Sequence, residues 1–220
     1  MKAAVLTGIR QMQLREKPEP RLETDTQVVI RIERVGVCGS DVHYYTTGRI
    51  GSQVVEYPYT VGHEASGVIE QVGPAVDRLE VGDRVAIEPA MPCRQCDQCK
   101  AGRHHTCRNI RFLACPGQAE GCFSEYLVMP GECCFPIPDT LSLDKAALVE
   151  PLSIGVYSVM LSGAPPEASI AVLGTGPIGL SVIVAARAAG VRRIYATDKI
   201  DARLAAAAKA GAVWTGNPRK

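Results

Sequence analysis

Residues 170–191 read IAVLGTGPIGLSVIVAARAAGV. The stretch is apolar enough to raise a membrane span, yet Gly174, Gly176, Pro177 and Gly179 fall early in it and Arg187 late. A strand, a tight turn and a buried helix explain it better. Gly174, Gly176 and Gly179 stand in GxGxxG spacing. Alone that motif is weak, but here it follows an apolar strand, opens a helix, and leads to a second strand, RRIYATD (192–198), and a second helical stretch, DARLAAAAKAGA (201–212). Such a βαβα series predicts a parallel sheet. Its glycines permit a tight turn and close approach to a pyrophosphate at a helix N-terminus. Asp198 can accept hydrogen bonds from ribose hydroxyls and would repel a 2′-phosphate, which favours NAD over NADP. Lys199 and Arg203 work the other way, as nearby cations able to tolerate that phosphate. Ile178 is placed near the cofactor, with plain helix packing as the alternative. The sequence ends at AGAVWTGNPRK after what reads as only two strands, a half sheet with uncovered apolar edges and faces, so a fragment, a premature stop or an incomplete sequence is expected.

Working back from this stretch, GAPPEAS (163–169) reads as a linker and KAALVEPLSIGVYSVML (145–161) as helical. Before about Asp144 the texture is different. KAAVL, TQVVIRIERVGV, ASGVIEQVG, RVAIEP and EYLVMP are short β-like runs between Gly, Pro and Asp turn signals. The expected architecture is mixed, with a β-rich domain over 1–152 and a partial dinucleotide-binding domain over 153–220.

Two groups of residues in the β-rich part look chemically loaded. CRQCDQCKAGRHHTC (93–107) supplies Cys93, Cys96, Cys99 and Cys107, a complete tetrahedral thiolate set for zinc. A closed shell leaves no position for water or substrate, so that zinc would organise its loop. His104 and His105 could replace a cysteine but are read as loop residues; Cys115, Cys122, Cys133 and Cys134 lack paired spacing and are expected as small buried hydrophobes. The second group is dispersed. Cys38 in GVCGSDVH (36–43) and His63 with Glu64 in VGHEASGVIEQVGPAV (61–76) could together give a thiolate, an imidazole and a carboxylate with a fourth position open.

GHEASGVIEQVGPAV, with Gly62, His63, Glu64, Gly67, Gly73 and Val76, resembles the signature of zinc-dependent medium-chain alcohol dehydrogenases, and the four-cysteine lobe and later dinucleotide motif resemble that family in order and spacing. GVCGSDVHYYTTGRIG, GHEASG, GDRVAIEP, ALVEPLSIGV and GTGPIGL most resemble its polyol (sorbitol and xylitol) branch. The resemblance implies a GroES-like catalytic domain followed by the first part of a Rossmann domain, two zinc ions per chain, NAD, and oxidation of a polyol to a ketose by hydride transfer. It implies that Cys38, His63 and Glu64 hold a catalytic zinc and that Glu150 is a carboxylate near it; on local pattern Glu150 is equally a helix N-terminal acid before Pro151. It matches Ser40 and His43 to a proton relay, although Ser40 could instead cap a helix starting at Asp41. Tyr44 and Phe112 match the substrate pocket, with packing as the alternative for both, and Arg203 matches an adenosine-contacting position. For a full-length chain a dimer or tetramer is implied as well.

Composition excludes other classes. Lys plus Arg (24) nearly balances Asp plus Glu (23) with no basic block, so neither nucleic-acid binding nor a four-cysteine DNA-reading finger is expected. The N-terminus lacks a signal peptide's apolar core, so a cytosolic chain with reduced thiols is expected. The rival from another class is a non-catalytic zinc- and nucleotide-binding protein such as a redox-state sensor. It would not need Cys38, Ser40, His43, His63 and Glu64 together.

Overall fold

The computed structural model describes all 220 residues, Met1–Lys220. The chain divides into two units, Met1–Leu148 and Val149–Lys220. Between them the helical stretch read from the sequence is broken: Leu143–Ala146 is a short helix capped by the Ser142 hydroxyl, and a separate helix, Val149–Ser162, belongs to the second unit.

The first unit is built on a five-stranded antiparallel sheet in the order Tyr126–Pro130, Gln27–Val35, Ala65–Val72, Arg84–Ile87, Cys134–Pro136. Alternation explains the pairing. Val28, Ile30, Ile69, Val85, Ile87 and Met129 point into one core and leave polar neighbours such as Arg31 and Glu70 on the other side. Cys122, Cys133 and Cys134 fill this core as expected of small hydrophobes, and burial pushes the Cys133 thiol up to about 12 and the other two higher still, which makes them unreactive. A smaller sheet of Gln11–Glu16, Lys2–Gly8 and Tyr59–Thr60 buries Leu6 with Tyr44, Val55, Tyr59 and Val61. The helix Gly39–Thr47 leaves the end of Gln27–Val35 and closes on Gly48 in the left-handed region (φ 71).

In the second unit Ser169–Leu173, the helix Pro177–Ala188, Arg193–Thr197, the helix Asp201–Ala210 and Trp214–Gly216 form a continuous βαβαβ run. The sheet is parallel and has three strands, not two. Trp214, Thr215 and Gly216 pair with Tyr195, Ala196 and Thr197. A run of three residues is too short to show the alternation that betrays a strand, and its partner is reached only after Gly211 ends the preceding helix in the left-handed region. No helix is long and apolar enough to cross a membrane.

Candidate metal centres and nucleotide loop

The four-cysteine lobe has almost no hydrophobic interior. Between Pro92 and Ile110 only Cys99 and Cys107 are buried, and the regular structure is one four-residue helix and one 3-10 turn. The sulfur atoms of Cys93, Cys96, Cys99 and Cys107 converge to within 4.8 Å of one another. Backbone N–H groups of Gln95 and Cys96 hold the Cys93 thiol down at about 6, and those of Arg108 and Cys99 lower Cys96, whereas burial raises Cys99 to about 12. Amide hydrogens aimed at sulfur favour thiolates, so this donor set fits zinc. The imidazoles stay outside the cluster. His104 faces the Arg94 guanidinium, which also pairs with Glu132 at 2.8 Å, and His105 is exposed.

The second set comes from separate segments. Cys38 precedes the helix Gly39–Thr47; His63 and Glu64 precede the strand Ala65–Val72. Neighbouring strands Gln27–Val35 and Ala65–Val72 bring these two points together, with the Gly36 N–H donating to the Glu64 carbonyl at 2.7 Å. The Cys38 sulfur, a His63 ring nitrogen and a Glu64 carboxylate oxygen lie within 4.8 Å of one another. A hydrogen bond from His63 lowers the Cys38 thiol against the effect of burial, and the Ser40 hydroxyl and amide add to it. Burial raises the Glu64 carboxyl, while the nearby His63 and a bond with Cys38 pull it back. Sulfur, nitrogen and oxygen donors converging from half-buried or buried positions suit a divalent metal with one position open.

Asp41 is the residue that sequence reasoning did not single out. It is buried (3% exposed) and its carboxylate accepts from the Cys38 N–H at 2.9 Å and from the Gly62 N–H at 3.0 Å, with His63 Nδ1 at 3.9 Å. One side chain thus ties the two donor segments to each other. The only signal was an acid in the first helical turn, which has many commoner explanations. Asp41→Ala strands two amides, each costing about 1–3 kcal/mol if left unsatisfied, and lowers metal affinity about 10–100-fold. Zinc titration and thermal melts of Asp41→Ala against Asp41→Asn measure both effects; the expected order of loss is Ala greater than Asn.

Ser40 does not cap the helix. Cys38 occupies the cap and Gly39 begins the helix, because the Asp41 carboxylate already takes the Cys38 N–H. Ser40 lines a cleft of about 440 Å³ with Tyr44, His63, Phe112 and others, and its hydroxyl is buried without a well-formed hydrogen bond of its own. His43 follows on the same helix and is exposed. Tyr44 both packs with Leu6 and Tyr59 and lines the cleft; Phe112 meets the His63 ring edge-on at 5.6 Å between centroids. Glu150 belongs to the second unit, in the first turn of Val149–Ser162.

In the second unit Gly174 has φ 97, and a Cβ on Gly179 would stand 2.0 Å from the Gly174 carbonyl oxygen, so the turn and the helix packing both require glycine. At Gly176 a Cβ would meet nothing nearer than the Arg203 guanidinium at 3.8 Å. The space beside Gly176 at the helix N-terminus is therefore open to a pyrophosphate, which is the fit a dinucleotide needs. Asp198 accepts from the Thr175 N–H at 2.8 Å and the Ile200 N–H at 2.9 Å, which hold its carboxyl below the usual range; Arg203 lies 3.9 Å away. The stabilisation this gives is present above about pH 4 and is lost as pH falls through the lowered folded value. Ile178 is half-exposed beside the loop, in the first turn of Pro177–Ala188.

A β-rich domain carrying an open and a closed set of candidate metal donors, followed by a βαβαβ half with a glycine-rich turn, has the GroES-like plus partial Rossmann architecture. Residues 24–139 match the alcohol dehydrogenase GroES-like domain, and the chain belongs to that zinc-dependent medium-chain alcohol dehydrogenase family. It is similar to sorbitol dehydrogenase of Bacillus subtilis (44% identity over 220 residues, 100% of this chain and 62% of that one) and to a probable D-xylulose reductase A of Aspergillus fumigatus (43% over 216 residues, 98% and 60%). Among solved structures, galactitol-1-phosphate dehydrogenase of Escherichia coli superposes with a TM-score of 0.92 at 31% identity, covering 100% of this chain and 62% of that one. The chain thus spans about three-fifths of the length of the relatives it matches.

Proposed function

We propose that the chain carries the polyol-binding and metal-binding half of an NAD-dependent polyol dehydrogenase, oxidising a secondary alcohol of a sorbitol- or xylitol-like substrate to a ketose. The observation that carries this reading is the convergence of Cys38, His63 and Glu64 beside the cleft that Ser40 and Tyr44 line. Zinc held by those donors would supply Lewis acidity to a substrate hydroxyl, and NAD held at the glycine loop would accept hydride. The chain's own groups do the rest. Ser40 Oγ, which lines the cleft, accepts the hydroxyl proton as it releases its own toward exposed His43, which passes a proton to solvent. Phe112 packs edge-on against the His63 ring and helps orient it, and Asp41 fixes the spacing of the donor segments.

Metal analysis followed by nicotinamide reduction with xylitol, sorbitol and a simple primary alcohol tests the proposal. Two zinc ions per chain and NAD-linked oxidation of the polyols in preference to the primary alcohol are expected. Stoichiometric zinc with nucleotide binding but no turnover would favour the non-catalytic reading.

Cofactor choice gives a separate prediction. Asp198 stands 3.9 Å from Arg203, so Asp198→Ala removes the repulsion toward a 2′-phosphate and leaves the guanidinium to meet it. The ratio of NAD to NADP affinity is expected to fall at least about tenfold, a change of about 1.4 kcal/mol. Fluorescence titration with both reduced cofactors measures it, and an unchanged ratio would remove Asp198 from the ribose site.

A further inference from the structure

Gln53 belongs to no metal or nucleotide motif, yet it lines the cleft next to the candidate metal centre. Its placement is fixed from three sides. The helix Gly39–Thr47 ends at Gly48; Arg49–Ile50 and Gln53–Val54 then form a hairpin in which Ile50 faces Gln53 across Gly51 and Ser52; and the Val55 N–H returns to the Gly48 carbonyl at 2.9 Å, with Val55 buried in the core around Leu6. The hairpin therefore cannot move without disturbing that core.

Within the cleft the polar groups are few. Ile50, Ile110, Phe112 and Leu113 are apolar lining. The Gln118 side-chain oxygen Oε1 is committed to the Phe112 N–H at 2.8 Å. Tyr44 sits one helical turn after Ser40, on the same face of the helix, and its phenol donates to the Gln53 side-chain carbonyl at 2.9 Å. On its other flank Gln53 reaches the buried Cys115 thiol, where it opposes part of the rise that burial imposes. A primary amide offers two donors and a two-lone-pair acceptor, and a thiol is a weak partner for either. With its proton spent on Gln53, the phenol offers lone pairs, and the amide offers N–H.

We propose that Gln53, oriented by Tyr44, is a specificity-determining residue that recognises a substrate hydroxyl beyond the reacting carbon, so that the cleft selects polyols over monohydric secondary alcohols of similar size. The inference rests on the polyol reading of the same site. A cleft wall built to hydrogen-bond a hydroxyl rejects the analogue that lacks it, because its polar groups are then left unpaired; an all-apolar wall cannot discriminate in this direction.

The test uses the zinc-loaded 220-residue protein and three forms: unaltered, Gln53→Leu and Tyr44→Phe. Two readouts are taken, kcat/KM with NAD for xylitol against butan-2-ol, and the dissociation constant for xylitol by calorimetry. The xylitol to butan-2-ol ratio is expected to fall at least tenfold in Gln53→Leu and severalfold in Tyr44→Phe, with xylitol binding weakened in the same order. Circular dichroism checks that each variant folds, and Tyr44→Phe, which keeps the ring packing, decides the matter if Gln53→Leu does not. A ratio unchanged in the folded variants, in a protein that does oxidise xylitol, overturns the role of Gln53 and leaves the polyol reading standing. An unaltered chain that neither binds nor oxidises xylitol overturns both.

Discussion

Cys38→Ala protein is expected to retain one zinc per chain in place of two and to oxidise xylitol at least about 10³-fold more slowly, since Lewis-acid stabilisation is worth several kcal/mol and each decade of rate about 1.4 kcal/mol. Cys38 is the sole sulfur among three donors within 4.8 Å, and the flanking structure cannot substitute for it, because the Asp41 carboxylate is already anchored on the Cys38 and Gly62 backbone. The backbone anchor survives the substitution, so the helix Gly39–Thr47 stays in place while the donor is lost. His63→Ala should match it in rate and exceed it in structural cost, because the Phe112 ring loses its edge-on partner and the raised Glu64 carboxyl loses the group that most lowers it. Zinc counted by mass spectrometry beside initial rates gives the result. Full activity at one zinc per chain would remove Cys38 from the catalytic centre.

The second large effect concerns the lobe. Cys107→Ser is expected to lose the other zinc and to unfold residues 93–107, read as rapid proteolysis at the exposed Lys100 and Arg103 while the two main units remain resistant. The magnitude follows from what else holds the lobe. Only Cys99 and Cys107 are buried there, so metal binding supplies nearly all of its folding free energy, which in isolated zinc peptides is about 10–16 kcal/mol. The ion pairs of Arg108 with Asp97 and of Arg94 with Glu132 are surface contacts worth about 1 kcal/mol or less each. The sign of the pH dependence follows as well. In the metal-free lobe Cys99 is raised to about 12 and carries a proton at neutral pH, so zinc uptake must expel it and affinity falls as pH drops. A Cys107→Ser lobe as protease-resistant as the unaltered one would show that the sulfurs are not its core.

These two centres were legible in the sequence to very different degrees. Cys93, Cys96, Cys99 and Cys107 lie within fifteen residues, and short spacing alone places their sulfurs near one ion. The glycine loop was legible for the same reason: Gly174, Gly176 and Gly179 act within one turn, and their conformations follow from local sterics. Cys38 and His63 are separated by two dozen residues, and no local rule says that they meet. Family resemblance suggested the set, but the pairing of Gln27–Val35 with Ala65–Val72 is what brings the atoms together. Asp41 illustrates the limit further. Its chemistry depends on two amides, Cys38 and Gly62, that become neighbours only after the sheet has formed.

By itself, then, the sequence determined what is set by short range and by periodicity: the β-rich first part, the parallel strand–helix series, the thiolate lobe and the nucleotide turn. Tertiary structure alone decided the third parallel strand at Trp214–Gly216, the end of the Gly39–Thr47 helix at Cys38 in place of Ser40, the Asp41 tie, and the Tyr44–Gln53 pair in the cleft. The physical reason is common to all four. Each depends on a hydrogen-bond partner that another segment delivers, or on a choice between competing partners, and which partner wins is fixed only when burial of the core has set the distances between segments.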